Sequence, residues 1–122
     1  MTDYTPGSLV KMMIEAARDL EEAQDELVQR THKHSEADRR YRQARATAYL
    51  ASSGTVGERE SYVAKSCDEE TYAAHLSEGL AKAAMEAVRN RRTVLSALQS
   101  ISAAVRAEAE LAKYESREAR SA

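Results

Sequence analysis

The chain has 122 residues, room for one domain, and its formal net charge of −2 does not by itself announce a nucleic-acid binder. Of the residues usually counted as hydrophobic, 23 are Ala and only 22 are Leu, Val, Met or Ile, with no Trp or Phe. Such a side-chain set cannot fill a wide core, and with only 4 Gly and 1 Pro it excludes a β-sandwich, a barrel or a βαβ enzyme in favour of long Ala- and charge-rich helices.

Met1-Thr2-Asp3-Tyr4 lacks the basic-then-apolar plan of a signal peptide, and no run approaches the length of a membrane span. A single cysteine, Cys67, has no internal disulfide partner, which fits a reducing compartment. Together these lead to the expectation of a cytoplasmic protein with no membrane partner.

Thr5-Pro6-Gly7-Ser8 punctuates the start, and Ser8 is the expected cap of a helix over 9–50. Along that helix Met13, Leu20, Leu27, His34, Tyr41 and Ala48 recur at seven-residue steps. Ala16, Ala23, Arg30, Ala37, Ala44 and Ala51 follow three residues behind. Large residues at one seam position and mostly Ala at the other predict a partner helix approaching closely, with His34 and Arg30 interrupting the seam midway. The link at 51–67 holds Gly54, expected with positive φ, and Thr55-x-x-Glu58, the spacing of a capping box, which predicts a short helix over 56–65. Ser66-x-x-Glu69 repeats the signature before a second long helix over 68–114. Its predicted stripe is Tyr72, Leu76, Leu80, Ala83, Ala87, Val94, Leu98, Ile101, Val105 and Ala112, and residues 115–122 are expected as a flexible tail.

The expected architecture is therefore a single all-α domain, a long antiparallel, coiled-coil-like helical hairpin with a short connecting helix. Each helix can cover only one side of the other. Leu9, Val10, Ile14, Val28, Leu95 and Leu111 do not all fit one stripe, so they are the expected interface for a homo-oligomer or another partner.

Charge is unevenly placed. Residues 15–26 hold six acids (Glu15, Asp19, Glu21, Glu22, Asp25, Glu26) against Arg18, a net of −5. Residues 30–45 hold six bases (Arg30, Lys33, Arg39, Arg40, Arg42, Arg45) against Glu36 and Asp38, a net of +4. Pairing in a hairpin brings the second stretch toward Arg89, Arg91 and Arg92. A basic zone of this kind suits a phosphate backbone, with Tyr41 and Tyr49 available to stack on bases. The competing reading is a solvated face laced with intrahelical pairs such as Glu36 with Arg40.

Signals for catalysis are weak. His32 and His34 lie two residues apart on a helix, about 200° around its axis, and cannot chelate one ion together. Cys67 has no Cys or His at ligand spacing and no neighbouring base, and His34 on the seam reads as a packing residue. Gly54-Thr-Val-Gly57 has GxxG spacing but lacks the strands that such an RNA clamp needs. No phosphate loop is present, so neither an enzyme, a metal nor a cofactor is expected.

Tyr41-Arg-Gln-Ala-Arg-Ala-Thr-Ala-Tyr49-Leu50, a small-residue turn, an acidic capped segment and a long helix with Val94-Leu-Ser-Ala-Leu98-Gln-Ser-Ile101 carry a resemblance. Over roughly residues 39–106 the chain resembles the bacteriophage UvsY-type recombination mediators. The resemblance implies an all-helical oligomer that binds single-stranded DNA and helps load a recombinase against single-strand-binding protein, with no catalytic motif. It also implies host cytoplasm as the location, Arg39, Arg40, Arg42 and Arg45 as DNA-facing residues, and residues 15–26 as a surface for protein. The alternatives are a helical scaffold or an inhibitor of a host factor with no nucleic-acid role, and, third, an antitoxin-like regulatory dimer, for which no helix-turn-helix is visible.

Overall fold

The computed structural model describes residues 4–121; the leader reading of Met1, Thr2 and Asp3, and the last tail residue, Ala122, lie outside them. Three helices follow one another: α1 (Pro6–Ala51), α2 (Val56–Ser66) and α3 (Asp68–Ser121), with no strand among the described residues. The all-α class and the long helix pair stand as expected.

Helix α1 starts earlier than Ser8. Thr5 Oγ1 accepts from the Ser8 amide at 3.1 Å while Ser8 Oγ accepts from the Thr5 amide at 3.0 Å, a reciprocal cap. Pro6 therefore occupies the first helical position, where its missing N–H costs nothing. At the other end the Ser52 amide and hydroxyl both donate to the Tyr49 carbonyl, at 3.2 and 2.6 Å, and Gly54 turns the chain with φ of 103°. Thr55 Oγ1 accepts from the Glu58 amide at 3.3 Å and opens α2. The next junction differs from the sequence reading, for Cys67 rather than Ser66 occupies it. The Cys67 amide donates to the Val63 carbonyl at 2.9 Å, and its own carbonyl accepts from the Thr71 amide at 2.9 Å and hydroxyl at 2.7 Å. Helix α3 also runs on through the residues expected to fray, as far as Ser121. That stretch holds Glu115, Arg117, Glu118 and Arg120 and no Gly or Pro, so nothing local stops the helix.

The contacts divide into two compact units, Met1–Ala23 with Val88–Ala122, and Gln24–Ala87. In the first unit Leu9 is 1% exposed, Ala16 and Val88 are buried, and Leu9 and Met13 share a cavity wall with Ser102 and Val105. In the second unit Ala48, Val63 and Cys67 form a buried cluster with Ala44 against it, and Ala74 and Ala84 are also buried. In both units early α1 residues meet late α3 residues, or late meet early, which is antiparallel pairing.

The seam read on α1 holds almost throughout. Met13, Leu20, Leu27, His34 and Tyr41 are half-buried and Ala48 is buried, as are their followers apart from Ala51, which is exposed at the helix end. The α3 stripe holds only in part. Ala87, Leu98, Ile101 and Val105 are half-buried, but Tyr72, Leu76, Leu80, Ala83, Val94 and Ala112 are exposed. The buried face of α3 carries Ala74, Ala81, Ala84 and Val88 with Ser77, and Cys67 is buried just before it. Small side chains won that position because they let two backbones approach closely, which a Leu or Tyr in the same place forbids.

Candidate functional site

The unit Gln24–Ala87 carries the basic half of α1. Intrahelical pairs take some of its charge: Glu26 holds Arg30 at 2.7 Å and Asp38 holds Arg42 at 3.0 Å, each four residues apart. Exposed pairs of this kind add about 0.2–0.5 kcal/mol and leave the cation at the surface. Glu36 faces His32 at 3.5 Å, not Arg40. It has possible partners one turn on either side and adopts the N-terminal one. Lys33, Arg39 and Arg40 are exposed and enter none of the ion pairs formed among the described residues.

Two of the predicted contact residues are only half-exposed. Arg30 is half-buried on the seam beside Glu26, and Tyr41 is half-buried with its hydroxyl accepting from Arg45 Nη1 at 3.1 Å. Tyr41 lines a cavity of about 430 Å³ with Arg45, Val63, Cys67 and Thr71. Both positions fall on the seven-residue repeat that faces α3, so the same pattern that builds the seam leaves them half-exposed.

What remains outward is more compact than the sequence reading. Arg42, Arg45, Ala46, Tyr49 and Leu50 line an open groove of about 550 Å³ along one face of α1. Leu50 is 88% exposed and Tyr49 is exposed beside it. The Arg59 guanidinium lies 5.7 Å from the Tyr49 ring centroid, a cation–π contact. Arg59 Nε is buried with no hydrogen-bond partner among the described residues. Sequence reading missed Leu50 and Arg59. Leu50 was legible as the residue eight after Arg42, on its side of the helix, whereas nothing local announces that α2 brings Arg59 onto Tyr49.

Arg89, Arg91 and Arg92 are exposed on α3 and belong to the other compact unit. Of the predicted interface residues, Val10, Ile14, Val28 and Leu111 are exposed, and Leu95 is half-buried. Leu9 is a correction: its side chain is core, enclosed between α1 and α3, and is not available to a partner.

His34 spans the seam, its Nδ1 lying 3.1 Å from the Ser77 hydroxyl oxygen, which is itself 3.0 Å from the Ala74 carbonyl. One turn on, Glu78 is held below its ordinary carboxyl pKa, first by the hydrogen bond from Lys82 and then by that ammonium's charge, with His34 and His75 adding smaller pushes. Cys67 is 2% exposed. Among the described residues no three His, Cys, Asp or Glu side chains gather as a metal would need, and no helix is long and apolar enough to cross a membrane.

Comparison with known protein families, curated proteins and solved structures finds no match to this chain.

Proposed function

We propose that this chain is a non-enzymatic accessory protein of phage recombination-mediator type, an oligomer that binds single-stranded DNA and helps a recombinase load. The observation that carries the reading is the outward groove of α1, where Arg42 and Arg45 flank an exposed tyrosine and leucine. Exposed cations beside an accessible aromatic ring are what a strand with unstacked bases requires: cations neutralise phosphates whatever the sequence, and each base offers a π-face. Arg39, exposed about 60° around the helix from Arg42, adds a further cation beside that groove. The alternating polarity of α1 supports the mediator role, since residues 15–26 carry acids suited to a basic protein surface while residues 30–45 carry bases.

The test is fluorescence anisotropy with a labelled poly-dT oligonucleotide over a salt series. Binding is expected to weaken with salt, at a slope of about 0.7 per phosphate neutralised. Converting Arg39, Arg40, Arg42 and Arg45 together to Glu abolishes it while far-UV circular dichroism stays helical. A wild-type chain that ignores the oligonucleotide at low salt refutes the proposal.

A second reading has its own observation. Tyr72, Leu76 and Leu80 form an exposed apolar stripe on the α3 stretch of the same unit, the surface of a helical scaffold or of an inhibitor that docks on another protein. Loss of partner capture on Leu76→Ser and Leu80→Ser, with no DNA bound, favours it.

A further inference from the structure

We infer that the outward face of α3 within the unit Gln24–Ala87 is a docking surface whose occupant is the outward basic face of α1 of a second copy of this chain, so that copies add head to tail. The inference does not rest on the DNA-binding reading, although a strand and a neighbouring copy compete for the same arginines.

Both faces belong to one compact unit. Tyr72, Leu76, Gly79, Leu80 and Ala83 fall within an arc of about 100° on α3, and all five are exposed. Glycine weakens a helix interior, yet a Cβ added at Gly79 would meet nothing within 4 Å among the described residues, so no contact inside the unit calls for it. With Ala83 one turn on, it leaves a flat place between larger apolar side chains where a second helix can come close. Asp68 and Glu69 bound this stripe on its N-terminal side and Glu86 on its C-terminal side. Residues 68–87 carry Asp68, Glu69, Glu70, Glu78 and Glu86 against Lys82, a net of −4, and Glu78 holds Lys82 at 3.1 Å.

The opposite sign stands on α1. Residues 39–50 carry Arg39, Arg40, Arg42 and Arg45 and no acid, a net of +4. Ala46, Tyr49 and Leu50 share an arc of about 140° with Arg39, Arg42 and Arg45, and all six are exposed. Two such faces can pair in three ways. Acidic on acidic and basic on basic set like charges together, whereas α3 on α1 sets unlike charges together, with exposed leucines on both sides to exclude water. The same two helices bury their other sides against each other, with His34 meeting Ser77 between them. Their outward faces therefore point apart, one neighbour cannot fill both, and the contact is heterologous, passing from copy to copy.

Sedimentation velocity of the full chain without DNA, over rising concentration at low salt, tests it. Species larger than a dimer of 13.5 kDa chains are expected, dissociating as salt rises. One variant reverses the basic face (Arg39→Glu, Arg42→Glu and Arg45→Glu together) and another the acidic face (Asp68→Lys, Glu69→Lys and Glu86→Lys together). Each alone presents two faces of one sign, which weakens association by about tenfold or more. Mixed in equal amounts they assemble again, a rescue that damage to folding cannot give. Leu76→Ser with Leu80→Ser in both chains abolishes the mixed assembly. A wild type that stays monomeric leaves the stripe to a basic helix of another protein and overturns the inference. An assembly that stops at the dimer, or a mixture that fails to assemble, overturns it too. So does mixed assembly that survives the loss of both leucines, for that is mere attraction between oppositely charged chains. Assembly that meets these marks in a chain that ignores poly-dT keeps the inference and refutes the DNA reading instead.

Discussion

Helices α1 and α3 are built from the same kinds of residue and bury them by different rules. On the α1 stretch of the unit Gln24–Ala87 the seam residues Leu27, His34 and Tyr41 turn inward at seven-residue steps. On the stretch of α3 from Asp68 to Ala87 the inward face is almost all small, with Cys67 just before it and Ala74, Ala81 and Ala84 along it, while Tyr72, Leu76 and Leu80 turn out. Where one helix presents bulk, the other must present Ala if the backbones are to lie close. Hydrophobicity alone therefore does not choose the buried face; volume does, at the density a protein interior demands.

Mutations at matched positions sharpen that contrast. The largest effect is expected at Leu9, enclosed where α1 begins: Leu9→Ala leaves a cavity and costs about 2–5 kcal/mol in urea denaturation. Next comes the reverse experiment on α3. Ala84→Leu adds bulk to a buried close approach and costs about 1–3 kcal/mol by overpacking. Thr55→Ala removes the oxygen that accepts the Glu58 amide and costs about 1 kcal/mol, read in the same titration. Leu76→Ser, although it removes a larger apolar side chain than the Thr55 variant does, shifts stability by no more than about 0.5 kcal/mol because that side chain is already in water. A cost at Leu76 equal to that at Leu9 breaks the comparison.

The smallest effect is electrostatic. Glu78 titrates below 4.5 because Lys82 donates to it at 3.1 Å and stands beside it as a charge. A depressed carboxyl pKa contributes stability above its unfolded value, and that contribution is lost as pH falls through the folded value. Lys82→Met is expected to move the Glu78 titration, followed by NMR, upward toward its ordinary position. A titration that stays depressed assigns the shift to His34 and His75 instead.

The legibility of this molecule in its sequence follows the same division. Caps and turns are local chemistry, so Gly54 and Thr55 could be read directly, and α1 could be read because its apolar and small residues share one unbroken repeat. Helix α3 carries two competing stripes, and the choice between them depends on what α1 presents, which is not local information. The candidate site divides likewise. Arg39, Arg40 and Arg42 are visible as surface cations from composition and spacing. Arg30 and Tyr41, by contrast, sit on the very repeat that half-buries them, and the ring contact between Arg59 and Tyr49 depends on how α2 folds back onto α1.

The central claim is that the outward face of α1 holds a nucleic-acid strand, and titrating labelled poly-dT with the wild type and with Tyr49→Ala at two salt concentrations tests it most directly. The account predicts binding that weakens steeply with added salt, and a loss in the Tyr49 variant of about 1–3 kcal/mol, the worth of one stacked base. Binding by wild type and variant alike, or none by either at low salt, contradicts it.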